Sequence, residues 1–193
     1  MKDLHQIALT VNGQQHELVV ESRRTLADVL RHDLRYTGTH LGCEHGICGA
    51  CTVLLDGLPV RSCLVFGVQA DGCAVETVEG LADGDQLNPL QEAFSAHHAV
   101  QCGFCTPGFL MLITGLLRED PHPSDERIRE TVAANLCRCT GYQGILDAVR
   151  AVSNQPLAIS TKPSVPSAQP LSGGEGIDAG DGHGPQLTLK AKS

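Results

Sequence analysis

Short runs in which apolar and polar residues alternate dominate the first part of the chain and predict β-strands. Apolar side chains occupy every second position from Ile7 to Val11, as in a strand with one buried face. Asn12-Gly13 follows at once, and this dipeptide favours the positive φ angles of a tight hairpin turn. Residues 17–20 then supply the returning strand, so the sequence opens with a predicted β-hairpin.

A short helix and two more strand signals follow the hairpin. Thr25 is suited to cap the first helical turn together with Asp28, three residues later. The apolar face of this helix would consist of Leu26, Val29, Leu30 and Leu34. Asp56-Gly57 predicts a second hairpin, and residues 74–78 predict a last strand. This order of elements indicates a small α+β sheet with one helix packed across it.

From Asn88 onward the pattern changes to helices, each with its own start signal. A capping residue followed by proline occurs at Asn88 and again at Thr106. Ser124 precedes two acidic residues and predicts a third helix start, while Thr140 is the expected cap of a final helix that runs through Ala151. Four short helices in succession predict a small four-helix bundle.

The sequence therefore predicts two domains and a tail. The expected sheet domain covers residues 1–82 and the expected helical domain residues 83–153. Residues 154–193 are rich in Pro, Ser and Gly and cannot bury enough apolar surface to offset their ordering entropy, so we expect a disordered tail. The longest apolar run, residues 109–117, is too short to span a bilayer and predicts a buried helix.

Composition and charge restrict the class of partner. The 14 Lys and Arg against 22 Asp and Glu give a formal charge of -8, without a basic cluster, which argues against a nucleic-acid partner. Nine cysteines are present, and the first residues lack the charged and then apolar pattern of an export signal. Because clustered thiols stay reduced in the cytoplasm and bind metals there, we expect a cytoplasmic metal protein without membrane association.

A first set of cysteines lies in and after the loop GCEHGICGAC. Its members are Cys43, Cys48, Cys51 and Cys63. The C-x4-C-x2-C spacing with a distant fourth cysteine is that of a plant-type 2Fe-2S cluster. A zinc site and unligated structural cysteines are the alternatives, although zinc motifs usually pair two short clips. His45 lies within the loop, and since four thiols complete the shell we expect it to be a loop side chain.

A second set of cysteines consists of a C-x2-C pair and a C-x-C pair. Its members are Cys102, Cys105, Cys137 and Cys139. Antiparallel helices would bring both pairs to one end of a bundle, where a second 2Fe-2S cluster would fit beside helix N-termini. Two short clips also describe a zinc site, which stays an alternative.

The remaining residues indicate no chemistry of their own. Cys73 belongs to neither set and is expected to be a small buried hydrophobe at the start of a strand. No Ser-His-Asp set, phosphate loop or pair of carboxylates in a plausible pocket occurs in the sequence. We therefore expect no catalytic residue on this chain.

The combined motifs resemble those of a known family. C-x4-C-x2-C-x11-C, then QCGFCTPG and NLCRCTGY, occur in the order found in the small iron-sulfur subunit of the molybdenum hydroxylases, the xanthine dehydrogenase family. The resemblance implies a plant-ferredoxin-like β-grasp domain followed by a four-helix domain, each with one 2Fe-2S cluster. It also implies that Gln101 and Cys139 lie against the pterin of a partner, although Gln101 could equally be a solvent-exposed loop amide.

The resemblance further implies partners and a role. The partners would be a large molybdopterin subunit and a medium FAD subunit, in a heterotrimer that can dimerise. The chain would carry single electrons from the molybdopterin centre to FAD. A free-standing ferredoxin-like carrier and a zinc-stabilised interaction module are the rival functions. The substrate stays open among N-heteroaromatics, purines, aldehydes, carbon monoxide and aromatic acyl-CoA thioesters.

Overall fold

The computed structural model describes residues 3–153, and a mixed five-stranded sheet forms their N-terminal part. The strands are β1 (Leu4–Val11), β2 (Gln14–Glu21), β3 (Thr52–Leu55), β4 (Leu58–Arg61) and β5 (Ala74–Glu76). Their order across the sheet is β2-β1-β5-β3-β4. All neighbouring strands are antiparallel except β1 and β5, which are parallel. The predicted tail lies outside the described residues.

The first predicted hairpin is confirmed. Strands β1 and β2 pair along their whole length, from Leu4 opposite Glu21 to Val11 opposite Gln14, and Asn12 and Gly13 have the positive φ angles that the turn requires. The apolar side chains of alternate β1 positions are buried in the core. The period of two in the sequence therefore fixed both the strand and the face that it buries.

The helix predicted after the hairpin is present and packs on this core. Helix α1 (Leu26–Asp28) continues as a π-helical stretch, Val29–Asp33. Thr25 and Asp28 form the expected capping box, in which the Thr25 hydroxyl accepts from the Asp28 N–H at 3.1 Å. The buried helical side chains join the sheet residues in one hydrophobic cluster.

The last predicted strand is shorter than expected. Strand β5 ends at Glu76, and the chain turns into a 3-10 helix over Val78–Gly80. The cause is Asn12, whose Oδ1 accepts from the Thr77 N–H at 2.9 Å and so takes the donor that a longer ladder would use. The hairpin predicted at Asp56-Gly57 is confirmed between β3 and β4.

Four helices follow and share a second hydrophobic cluster. They are α2 (Pro89–Ala96), α3 (Thr106–Glu119), α4 (Asp125–Ala133) and α5 (Gln143–Ser153). Asn88 caps α2 in a capping box with Gln91, and the Ser124 hydroxyl accepts from Arg127 N at 3.2 Å at the start of α4. Both predicted caps are confirmed.

Two predicted helix caps are wrong. Thr106 is the first residue of α3, and its cap is Cys105, because a turn from Gly103 O to Thr106 N already begins the helix. Thr140 does not cap α5, since Gly141 and Tyr142 have positive φ angles and delay the helix to Gln143. Helix α5 also extends to Ser153 rather than ending at Ala151.

Helix α3 connects the sheet to the other helices. Most of the apolar run 109–117 is buried, as predicted. Glycines let α3 approach its neighbours closely: a Cβ at Gly108 would collide with the Gly49 carbonyl oxygen in the loop before β3, and one at Gly115 would lie 3.1 Å from Pro59 Cδ of β4. Near its end, Arg118 makes a bidentate ion pair with Glu76 of β5 at 2.7 and 2.9 Å. None of the helices formed within residues 3–153 is both long and apolar enough to cross a membrane.

Candidate metal centres

Strand pairing brings two cysteines of the first set together. The β3–β4 ladder ends where Thr52 pairs with Arg61, so Cys51 and the residues after β4 are direct neighbours. Ser62 fixes this junction, since its N–H and hydroxyl donate to the Cys51 carbonyl at 3.3 and 2.7 Å. Cys51 and Cys63 are both buried as a result.

The other two cysteines of this set, Cys43 and Cys48, belong to a loop whose backbone N–H groups converge on one sulfur atom. The N–H groups of His45 and Cys48 point at Cys43 Sγ, at 3.4 and 3.3 Å. These backbone hydrogen bonds, that of Cys48 first, lower the pKa of Cys43 to about 6. His45 is exposed, and its Nδ1 contacts the Cys43 carbonyl.

The first set therefore comes together as two pairs of thiols. Cys48 hydrogen-bonds to the Cys43 side chain. Burial first, then the neighbouring Cys51 side chain, raises the pKa of Cys63 to about 11. Two thiolates for each iron is the arrangement that a 2Fe-2S cluster requires, so these residues fit such a group.

The second set also forms two pairs. Each pair joins one cysteine at the start of α3 to one in the loop between α4 and α5. Cys102 and Cys139 lie 3.5 Å apart between their sulfur atoms, and both are exposed. Burial first, then the contact with Cys137, raises the pKa of Cys105 to about 12. Cys102 thus pairs with Cys139, and Cys105 pairs with Cys137. Two thiolates are again available for each of two irons, as a 2Fe-2S cluster requires.

The loop that carries Cys137 and Cys139 is held by its own polar residues. The Thr140 hydroxyl lies 3.1 Å from Cys137 Sγ, and the Cys137 N–H donates to the Tyr142 hydroxyl at 2.9 Å. The Tyr142 ring packs edge-on against Phe109 of α3, with ring centres 6.3 Å apart. Thr140, predicted as a helix cap, therefore serves the cysteine loop instead.

Hydrogen bonds also set the acidity of the second set. Burial acts to raise the pKa of Cys137, but the hydroxyl and N–H of Thr140 outweigh it and the net pKa is lowered. The N–H of Phe104 is the main cause that lowers the pKa of Cys102, whereas the hydrogen bond that Cys139 donates to Cys102 raises the pKa of Cys139. In each of these pairs the pKa of one thiol is lowered, that of Cys102 in one and that of Cys137 in the other.

Within residues 3–153, no group of three or more His, Cys, Asp or Glu side chains is arranged to hold a single metal ion. The thiols come together two by two instead. Cys73 stands apart from both sets, and the prediction that it is buried is wrong. It is half-buried just before β5, where burial and the Asp56 carboxylate raise its pKa to about 11.

The two sites touch each other through residues that the sequence did not single out. The Leu136 N–H donates to the Cys48 carbonyl at 2.9 Å, and Asn135 Nδ2 donates to the Gly49 carbonyl at 3.3 Å. His40 also stacks on Phe104, with ring centres 5.0 Å apart. The only signal in the sequence was that these residues adjoin the cysteines, which does not show that they meet.

Comparison with known proteins agrees with this geometry. Two family models match, "2Fe-2S iron-sulfur cluster binding domain" over residues 9–70 and "[2Fe-2S] binding domain" over residues 77–150. The chain is 56% identical to the nicotine 6-hydroxylase small subunit of Paenarthrobacter nicotinovorans, over 76% of this chain and 88% of that protein. The caffeine dehydrogenase subunit gamma of a Pseudomonas species is 57% identical, over 77% and 91% respectively.

The chain belongs to the iron-sulfur small subunits of the molybdenum hydroxylase family. Among solved structures, quinoline 2-oxidoreductase from Pseudomonas putida 86 matches this small subunit with a TM-score of 0.76 and 52% identity, over 78% of this chain and 93% of that chain. The small subunits of this family are components of dehydrogenases and oxidoreductases, so this one is an oxidoreductase subunit with two 2Fe-2S domains.

Proposed function

We propose that the protein carries single electrons between a molybdopterin centre on a large subunit and FAD on a medium subunit. The observation that carries this proposal is the hydrogen bond from the Leu136 N–H to the Cys48 carbonyl. Leu136 is bonded to Cys137, so a cysteine of one site is joined to a cysteine of the other through one hydrogen bond and a short stretch of backbone. A bound 2Fe-2S cluster supplies one-electron oxidation and reduction.

The proposed ligands are the eight cysteines of the two sets. Cys43, Cys48, Cys51 and Cys63 would hold one cluster, and Cys102, Cys105, Cys137 and Cys139 the other. Their pairing in the structure supports iron over zinc, because a tetrahedral zinc site needs four donors around one point. The proposed domains are residues 1–82 and a four-helix bundle over residues 83–153, which the two family-model matches support.

The exposure of the thiols supports an assignment of each cysteine set to one of the two partner cofactors. Cys102 and Cys139 are exposed, as is Gln101 beside them, whereas all four cysteines of the first set are buried or half-buried. An exposed pair needs a cover that keeps water from the cluster. We therefore assign Gln101 and Cys139 to the contact with the pterin of the large subunit, and the first set to the side of the FAD.

Exposed apolar side chains beside both sites support the two partner subunits. Ile47 and Leu64 adjoin the first set and are 68% and 60% exposed. Phe104 and Leu136 adjoin the second set and are 48% and 54% exposed. Large apolar side chains around a functional site are typical of surfaces that another protein covers. The proposal includes a heterotrimer in the cytoplasm, where no cysteine forms a disulfide and the eight cysteines of the two sets bind iron as thiolates.

The relatives favour one substrate class for the whole complex. Nicotine, caffeine and quinoline, which appear in the names of three relatives, are all N-heteroaromatic compounds in the broad sense that includes purines such as caffeine. We propose a compound of this class as the substrate, bound on the large subunit. An aldehyde is the second candidate, because the chain is also 46% identical to part of the aldehyde oxidoreductase of Megalodesulfovibrio gigas.

The test is to purify the protein together with whatever subunits accompany it and to measure metal, sulfide and EPR. We expect about four iron atoms and four acid-labile sulfides per chain, and two distinct signals after reduction. A single signal, or zinc without sulfide, would contradict the proposal and favour the zinc-stabilised module. Purification as a monomer with no molybdenum-containing partner would favour the free-standing carrier.

A further inference from the structure

Asn135 lies between the two cysteine sites and is completely buried, although it is polar and belongs to a loop. Its Nδ2 donates to the Gly49 carbonyl at 3.3 Å. Its Oδ1 is buried and has no hydrogen-bond partner among the described residues. Burying an amide oxygen without a partner is unfavourable, so stability alone does not explain an asparagine at this position.

The orientation of this amide is fixed by what surrounds it. A Cβ at Gly49 would lie only 1.9 Å from Asn135 Oδ1, so the amide fills the space that a side chain at position 49 would need. If the amide were turned over, its oxygen would face the Gly49 carbonyl oxygen and the two would repel. The donor therefore points at Gly49, and the oxygen is left without a partner.

Three consecutive residues of the second cysteine loop are attached to the first site. Arg61 Nη2 donates to the Ala134 carbonyl at 2.8 Å, Asn135 donates to Gly49, and the Leu136 N–H donates to Cys48 at 2.9 Å. Asn135 and Leu136 thus donate to two consecutive carbonyl groups of the first cysteine loop. The Asn135 side chain is the central attachment, and it lies next to the hydrogen bond that joins the two sites.

We propose that Asn135 is a positioning residue for electron transfer between the two sites, and that it acts by holding the Leu136 N–H against the Cys48 carbonyl. This inference rests on the proposed function of the chain. Without the amide, the cysteine loops would keep their own thiol pairs, because Thr140 and the β3–β4 hairpin hold those separately. The connection between the sites would loosen while each site stayed intact.

The test compares Asn135→Leu and Asn135→Asp with the wild-type complex. Leucine keeps the approximate shape and removes the donor, and aspartate keeps the shape and places an oxygen against the Gly49 carbonyl. Asn12→Asp is the matched control, since Asn12 also bridges two segments through its amide, to Thr77 at 2.9 Å, but neither residue adjoins one of the eight cysteines of the two sets. Iron, sulfide and the EPR signals of both clusters are measured first.

Three further measurements report on the connection itself. These are the splitting of the EPR lines caused by magnetic interaction between the two reduced clusters, the rate at which the first cluster is reduced after mixing with substrate, and amide hydrogen exchange at Leu136. For both Asn135 variants we expect both signals to persist, the splitting to change, the reduction to slow several-fold and Leu136 to exchange faster. Asn12→Asp should leave all three unchanged.

Unchanged splitting and an unchanged rate in variants that retain both clusters would overturn the inference. If Asn135→Leu loses iron, the smaller Asn135→Ser takes its place in the same measurements. If the wild-type complex itself lacks two interacting signals, the proposed function fails first, and that result differs from a wild type with two signals and insensitive variants.

Discussion

Each of the two cysteine sites brings four thiols together, but the two sites are built from different kinds of structure. In the first, three cysteines share one loop and the fourth arrives through the β3–β4 ladder, so all four come from one stretch of chain. In the second, the start of α3 and the loop between α4 and α5 meet only because three helices pack together. The first site depends on strand register, whereas the second depends on helix packing.

This difference also appears in the exposure of the thiols. The first site buries Cys51 and Cys63 at the end of the hairpin, and the second buries only Cys105. Cys102 and Cys139 stay exposed, so the second site is open on one side. The first site is thus partly shielded by its own residues, whereas the second presents two thiols at the surface.

The largest expected effect tests whether the two sites are independent. Cys137→Ser removes one thiol of the second set, and we expect the loss of about half of the iron, with the spectrum of the first cluster intact. Cys73→Ser is the matched control, because Cys73 belongs to neither set, and its iron content should equal that of the wild type. Iron analysis and EPR check this prediction, and equal loss of both signals would contradict it.

The next effect tests the place where the sites touch. Gly49 has a φ of +75°, and a Cβ there would collide with the buried Asn135 side chain. Gly49→Ala should lower the free energy of unfolding by about 2–5 kcal/mol, from backbone strain and overpacking together. Because Asn135 adjoins the second set, both clusters should be affected.

Gly57→Ala is the control for this substitution. Gly57 has a similar φ of +84° but nothing within 4 Å of the added Cβ, so only the backbone strain of about 1–2 kcal/mol applies. Chemical denaturation of the two variants compares them directly. Equal losses in both would show that Asn135 yields easily and that the contact between the sites is not tightly packed.

A smaller effect concerns the ion pair that fastens α3 to the sheet. The side chains of Arg118 and Glu76 are 26% and 20% exposed. Arg118→Gln leaves the partly buried Glu76 carboxylate without its partner and should cost about 1–3 kcal/mol. Arg129→Gln is the control, since its pair with Asp125 is 60% and 52% exposed and should contribute at most about 1 kcal/mol. Urea denaturation that shows equal losses would argue against a special role for the α3 attachment.

The smallest effect concerns Asp125, which ties α4 to α5 on either side of the second cysteine loop. Hydrogen bonds from Arg150 first, and then from Arg129, lower the pKa of Asp125 from 3.8 to about 2. A carboxylate with a lowered pKa makes its full contribution to stability at every pH above its ordinary pKa. This contribution is lost as the pH falls from that value toward 2. Asp125→Asn should therefore lower the Tm slightly, and by the same amount at pH 7 and pH 5.

Thermal unfolding at these two pH values checks this prediction. Both lie above the range in which Asp125 titrates, so the difference between wild type and variant should stay constant. At pH 2 the difference should be smaller, and a difference that stays constant down to that pH would mean that the Asp125 pKa is not lowered by its arginines.

Local sequence signals correctly predicted those turns and helix caps that depend only on interactions between residues close together in the sequence. The Asn12-Gly13 turn, the Thr25 capping box and the Ser124 cap depend on residues within four positions of each other, and all are present. The signals were misleading where a distant residue intervened. Asn12 captures the Thr77 N–H and shortens β5.

Helix starts near the second set were also displaced. Thr140 has the side chain of a good cap, but positive φ angles at Gly141 and Tyr142 bend the chain away from a helix at that point. The Tyr142 hydroxyl then accepts from the Cys137 N–H, which ties the bend to the cysteine loop. A capping propensity acts within one helical turn, whereas the conformation of this loop depends on hydrogen bonds with the cysteines.

The spacing of the cysteines along the chain predicted the two sets of four, because the spacing of ligands is specific to the kind of centre. The fold alone accounts for the pairing of the thiols within each set and for the contacts of Leu136 and Asn135 with the first site. These contacts join residues far apart in sequence, through helix packing against the sheet. Their geometry depends on how whole elements fill space together, which no local pattern records.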